Sequence, residues 1–126
     1  MRAVDTNVLV GLIARDAEDQ VTAAEAFVRK GAWVSHLVLA ETTWVLTSAY
    51  ELRHDQIATA IEMLLNHAEI TVQDADVVTA AVEQYRGRPS LGFSDCLVLE
   101  IARKAGHLPL GTFDRGLGKL EGAERL

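Results

Sequence analysis

Apolar positions recur along this chain with a short period in some stretches and a helical period in others, and the alternation sets an architecture. Residues 2–5 read as a short buried strand ending in an acid, and residues 6–14 as a short apolar helix. Between residues 18 and 30, Val21, Ala24 and Val28 share one helical face while Glu25, Arg29 and Lys30 turn toward water. Gly31 is expected to cap that helix, and residues 32–35 to form a second strand. The pattern then predicts a long helix over 37–52, carrying Glu41, Trp44, Val45 and Tyr50. Another follows over 54–67, with Ile57, Ile61, Leu64 and Leu65 inward and Asp55 near its positive end. Residues 69–72 read as a third strand and 74–86 as a helix burying Val77, Val78, Ala81 and Val82.

Gly, Pro and Ser make residues 87–92 a loop. Ser94 is expected to cap a helix over 95–105 that stops at Gly106. A fourth strand over 108–112, a helical turn over 114–120 and an edge strand over 123–126 complete the chain. Short strands separated by helices imply parallel pairing through right-handed crossovers. The expected fold is therefore an α/β three-layer sandwich, with a central parallel sheet of four to five strands, in one domain over residues 1–126.

Composition narrows the class. At 126 residues, 49% hydrophobic and 24% charged, the chain can bury a core without disulfides or structural zinc. Cys96 has no cysteine to pair with and reads as a small buried hydrophobe. His36, His54, His67 and His107 form no catalytic set. No leader and no bilayer-length apolar run is visible, which leads us to expect a cytoplasmic protein without membrane contact. The net charge of −6 disfavours a passive nucleic-acid binder. Four acids contribute heavily to it; without them 14 acids face 12 bases.

Those four are Asp5, Glu41, Asp95 and Asp114, each in or beside an apolar run. Buried carboxylates are costly unless compensated. Each also has a plain structural use. Asp5, Thr6 or Asn7 could cap the helix that follows, Asp95 could answer a helix dipole, and Asp114 could be a turn residue. Glu41 is harder to explain so, because Leu37, Trp44 and Val45 flank it at helical spacing. Together the four suit a hard cation, Mg²⁺ with Mn²⁺ as a substitute, and hydrolysis of a phosphodiester by an activated water. Thr6, Asn7, Ser94 and Thr112 are placed to orient those carboxylates. Arg86, Arg88 and Arg115 could contact substrate phosphates, or be ordinary solvated arginines.

These residues bring a family into view. The chain resembles PIN-domain ribonucleases, specifically the VapC-like toxins of type II toxin–antitoxin systems. The likeness rests on Ala3-Val4-Asp5-Thr6-Asn7-Val8-Leu9-Val10, Leu39-Ala40-Glu41, Phe93-Ser94-Asp95-Cys96-Leu97 and Leu110-Gly111-Thr112-Phe113-Asp114. It implies a metal-dependent endoribonuclease whose metal ligands are Asp5, Glu41, Asp95 and Asp114. It also implies a small antitoxin as partner, with the region 37–67 contributing to its groove and to homodimer or higher hetero-oligomer contacts. Two other readings stay open. One is a catalytically weak PIN-like RNA-binding or regulatory protein. The other is an aspartyl-nucleophile phosphatase, disfavoured because Asn7 stands where such enzymes place a second acid.

Overall fold

The computed structural model describes all of residues 1–126, and the chain divides into two compact units, Met1–Ala75 and Asp76–Leu126. No helix is long and apolar enough to cross a membrane.

The first unit runs β1 (Arg2–Ala3), α1 (Thr6–Ala14), α2 (Glu18–Val28), β2 (Ala32–Val34), α3 (His36–Ser48), α4 (His54–Leu65) and β3 (Ile70–Val72). Its three strands pair in parallel, in the order β1-β2-β3. Parallel pairing requires long crossovers, and the intervening helices supply them. Leu9, Val34, Leu39, Leu46, Ile57 and Ile61 are almost wholly buried and form the core. The amphipathic reading of α2 holds, since Val21, Ala24 and Val28 are its buried residues.

Two anchors fix the start of α3. Ser35 caps it, its Oγ accepting from the Val38 N–H at 3.1 Å. The His36 N–H donates to Gln73 Oε1 at 2.9 Å, and His36 Nε2 lies 2.8 Å from the Gln73 carbonyl, just past β3. The helix register, and with it the direction of Glu41, follows from these bonds.

The second unit runs α5 (Ala75–Arg86, opening at the boundary), α6 (Phe93–Ala105), β4 (Leu110–Thr112), a 3₁₀ turn (Leu117–Lys119) and β5 (Ala123–Arg125). Strands β4 and β5 pair in parallel. Tyr85 and Phe93, both buried, meet edge to face with ring centroids 5.8 Å apart. Gly106, in the left-handed conformation, terminates α6 as expected from the sequence.

The α/β class with parallel strands is as expected, but the hydrogen-bonded sheets are smaller. Five strands are present, paired as a three-stranded and a two-stranded sheet rather than one sheet of four to five. None exceeds three residues, so each ladder holds few bonds. A second correction concerns α6. It starts at Phe93 with Gly92 at the N-cap, so Ser94 lies inside the first turn and does not cap it.

Candidate metal-binding carboxylates

Three of the four candidate acids, Asp5, Glu41 and Asp114, are exposed, and Asp95 is half-buried. The sequence reading that charge is buried at these positions is therefore wrong. On α3 the reason is visible. Leu37 and Trp44, which flank Glu41 at helical spacing, are 70% and 71% exposed. The buried face of the helix is instead Leu39, Thr42, Thr43 and Leu46. Thr42 and Thr43 can line it because their hydroxyls bond back to the Val38 and Ala40 carbonyls.

Three acids also have the plain structural use considered for them. Asp5 caps α1, its Oδ1 accepting from the Val8 N–H at 3.3 Å. Asp95 Oδ2 accepts from the Gly92 N–H at 3.2 Å, which ties the first turn of α6 to the preceding loop. Asp114 Oδ1 accepts from the Leu117 N–H at 2.7 Å and starts the 3₁₀ turn. Each bond satisfies an orphan donor at an element's start. Glu41 has no such duty. Its Oε1 accepts from the Thr6 hydroxyl at 3.4 Å.

The two units present their acids differently. In the first, Thr6 follows Asp5 directly and bonds Glu41, so one hydroxyl links the start of α1 to α3. In the second, Thr112 Oγ1 accepts from the Asp114 N–H at 3.0 Å and sets the turn that carries this acid. A methyl group at Gly116 would lie 3.0 Å from Leu91 Cδ2 and 3.3 Å from Asp114 Oδ1. Leu91 in turn adjoins the Gly92 that holds Asp95. Of the four residues expected to orient the acids, Thr6 bonds the Glu41 carboxylate and Thr112 bonds the backbone of Asp114. Asn7 and Ser94 are exposed and make no side-chain bond to the four acids.

No group of three or more His, Cys, Asp or Glu side chains is gathered in an arrangement that holds an ion. The donor chemistry nonetheless fits a hard cation. All four acids offer oxygen, and none has a Lys or Arg within ion-pairing distance. Some acids elsewhere are paired, Glu25 with Arg15 at 3.5 Å, Asp55 with Arg53 at 3.2 Å and Asp76 with Lys104 at 3.0 Å, while Glu18, Asp19, Glu51 and Glu124 are as unpaired as the four. Of the candidate phosphate contacts, Arg86, Arg88 and Arg115 are all exposed, and Arg88 Nη1 donates to the Gln84 carbonyl at 3.2 Å.

The family follows from a comparison. A family model described as PIN domain matches residues 2–123, which run through both units. The chain belongs to the PIN-domain family. PIN domains are typically nucleases that use divalent metal ions, so a nuclease-type hydrolase is the coarse function of the chain. No curated protein matches it.

One buried acid of this PIN domain escaped the sequence reading. Glu100 on α6 is 6% exposed, accepts from Arg103 Nε at 3.1 Å, and leaves its Oε2 without a partner. Arg103 also donates through Nη2 to the Glu121 carbonyl at 2.6 Å, tying α6 to the turn before β5. The signal was an acid inside an apolar helical run with an arginine three residues on. Cys96 is fully buried, as expected; burial, aided by the neighbouring Asp95 charge, pushes its thiol up to about 11. It is an apolar core residue rather than a nucleophile.

Proposed function

We propose that this PIN domain is a Mg²⁺-dependent endoribonuclease, the VapC-like toxin of a type II toxin–antitoxin pair. One observation carries the reading: four acids are oriented by hydrogen bonds yet left without a basic partner. Carboxylates that are aimed but not neutralised suit a hard divalent ion. Asp5, Glu41, Asp95 and Asp114 are the proposed ligands, with Mn²⁺ able to substitute. Such an ion, when bound, acidifies water and offsets phosphate charge.

The chain's own residues prepare for this. Thr6 aims Glu41, the Gly92 N–H aims Asp95, and the Leu117 N–H and Thr112 hydroxyl fix Asp114. Each bond occupies one lone pair of an oxygen and leaves acceptor capacity over. Arg86, Arg88 and Arg115 are proposed to hold RNA phosphates, since cations supply most nucleic-acid affinity. The reaction proposed is hydrolysis: a water oxygen bonds to phosphorus, the P–O ester bond breaks, and the leaving oxygen takes up a proton.

The proposed partner is a small antitoxin that lays an apolar helix on the first unit. A cavity of about 680 Å³ there supports that reading. It is lined by Leu12, Ile13, Val28 and Leu64 together with Arg15 and Asp55. Helix-in-groove recognition uses such a surface. Homodimers or larger assemblies with the antitoxin, in the cytoplasm, belong to the same proposal.

The test is incubation with tRNA, rRNA and mRNA in Mg²⁺, in Mn²⁺ and in EDTA. Cleavage confined to the metal-containing reactions is the expected result, with RNA binding also weaker in EDTA. No cleavage in either metal contradicts the enzyme reading, and binding without cleavage favours a catalytically weak RNA-binding protein.

A further inference from the structure

The net charge of this chain is unevenly placed. Residues 1–75 carry 11 acids against 5 bases, whereas residues 76–126 carry 7 of each. The whole of the −6 therefore belongs to the first unit. Much of it lies along the apolar cavity of that unit. Every residue lining the cavity falls in 12–29 or 52–70, and these two stretches hold 7 acids against 3 bases. Asp5 and Glu41, the proposed metal ligands of this unit, lie outside them.

The walls of the cavity are held in place by contacts within the unit. Arg15 ends α1 in the left-handed conformation and pairs with Glu25 of α2 at 3.5 Å. The Tyr50 hydroxyl donates to Asp16 at 2.9 Å and ties the turn after α1 to the turn after α3. A groove shaped before its ligand arrives loses less to ordering on binding. Met63 lines it from α4 and is 68% exposed, an adaptable apolar side chain that no core uses. Of the lining acids, Glu25 and Asp55 are answered by Arg15 and Arg53, whereas the Glu69 carboxylate has no partner. Arg29 is the one lining base without an acid, so the surplus along both stretches stays negative.

We infer that the cavity selects a basic helix: an apolar stripe flanked by Lys and Arg, supplied by a partner protein. The stripe fills the space beside Met63, and the flanking cations meet the acids of α2 and α4. Charge decides against the obvious rival, a second copy of this chain. Such a copy would bring an equally acidic wall, and like charges facing one another suppress a wrong partner. Opposite charges do the reverse, speeding encounter and fixing register, and the gain falls as salt rises. The inference deepens the antitoxin reading by giving the sign of the segment that docks. It rests on that reading for the partner's role, but its test needs neither RNA nor metal.

Labelled synthetic helical peptides serve as probes for the full-length protein. Three share one apolar stripe and carry Lys, Gln or Glu on its flanks, and a further one keeps the Lys but scrambles the stripe. Anisotropy at low and high salt reports binding, and sedimentation of the protein alone reports mass. The expected order of affinity is Lys, then Gln, then Glu, with the differences shrinking at high salt and the scrambled peptide binding weakly. Met63→Lys should weaken the Lys-flanked peptide roughly 10- to 150-fold, the worth of one buried apolar side chain. Glu69→Lys should weaken it about 2- to 5-fold, as for an exposed pair, and narrow the preference for Lys over Glu. Both side chains are exposed, so the melting temperature should hold. Equal or tighter binding of the Glu-flanked or scrambled peptide would overturn the inference, as would an affinity that Met63→Lys leaves unchanged. A wild-type dimer that Met63→Lys dissolves would also overturn it, by assigning the cavity to a second copy. Lys-selective binding at Met63 that leaves RNA cleavage in Mg²⁺ untouched would sustain the docking site while removing the toxin–antitoxin reading.

Discussion

The two units of this chain differ in one acid: every candidate of the second answers a backbone N–H, whereas the first holds one that does not. In the second, Asp95 and Asp114 each accept a backbone N–H that would otherwise be an orphan at the start of α6 or of the 3₁₀ turn. Their geometry is held by the fold, and the fold in turn uses them. In the first unit Asp5 does the same for α1, but Glu41 projects from the middle of a helix face and is touched only by the Thr6 hydroxyl. An exposed side chain with no capping duty and no cation contributes little to stability. On the proposed function its use is to hold the metal ion rather than the fold. The comparison also shows how this fold treats an acid it must bury: Glu100 has its own arginine, and none of the four candidates has one.

The sharpest way to break this comparison is Glu41→Gln. The account expects a loss of RNA cleavage greater than the roughly 100-fold that a residue supporting a metal ligand costs. The urea midpoint should stay within about 0.5 kcal/mol of wild type, as for an ordinary surface change. A large fall in stability would give Glu41 a structural duty that the structure does not show.

Next in size is Arg103→Ala. It strands the buried Glu100 carboxylate and removes the bond to the Glu121 carbonyl. Because Arg103 is partly exposed, the expected cost lies between that of buried and surface pairs, roughly 2–3 kcal/mol, read by chemical denaturation. Glu100→Gln should cost less, since it removes the charge together with the need for a partner.

The third comparison uses Asn and Ala at the capping acid of α1. Asn caps as well as Asp, whereas Ala costs about 1 kcal/mol. Asp5→Asn should therefore keep the wild-type melting temperature and lose cleavage. Asp5→Ala should lose both. Equal stability of the Asn and Ala variants would show that the cap does not matter.

The smallest effect is set by pH. The Lys104 ammonium beside Asp76 holds its carboxyl below the usual carboxylate range. A folded-state value below the unfolded one adds stability above the unfolded value and loses it as pH falls through the folded one. A slight acid-side decline in the urea midpoint is expected, and Asp76→Asn should flatten it. Identical acid-side slopes for the two proteins would remove the pair from the account.

The elements were legible where local chemistry decides them. The helix at Thr6–Ala14 and the terminator Gly106 could be read directly, because caps and apolar spacing act within a few residues. The sheets could not be sized, since strands of two or three residues carry almost no period of their own. Glu41 was singled out by a mistaken route. Leu37, Trp44 and Val45 suggested an apolar face, but an apolar stripe does not state whether a core or a ligand will cover it. Trp44 could be read as core or as partner surface, and only the fold, which leaves it 71% exposed, decides between them. Exposure is a property of the fold around a residue and not of its letter.

The central claim is that these unpaired acids exist to hold a divalent ion. Calorimetric titration of the intact protein with Mn²⁺, beside Glu41→Gln and the paired acid variant Asp76→Asn, tests it most directly. The account predicts saturable binding that Glu41→Gln weakens sharply and Asp76→Asn leaves intact. Equal Mn²⁺ affinity in wild type and Glu41→Gln would contradict it.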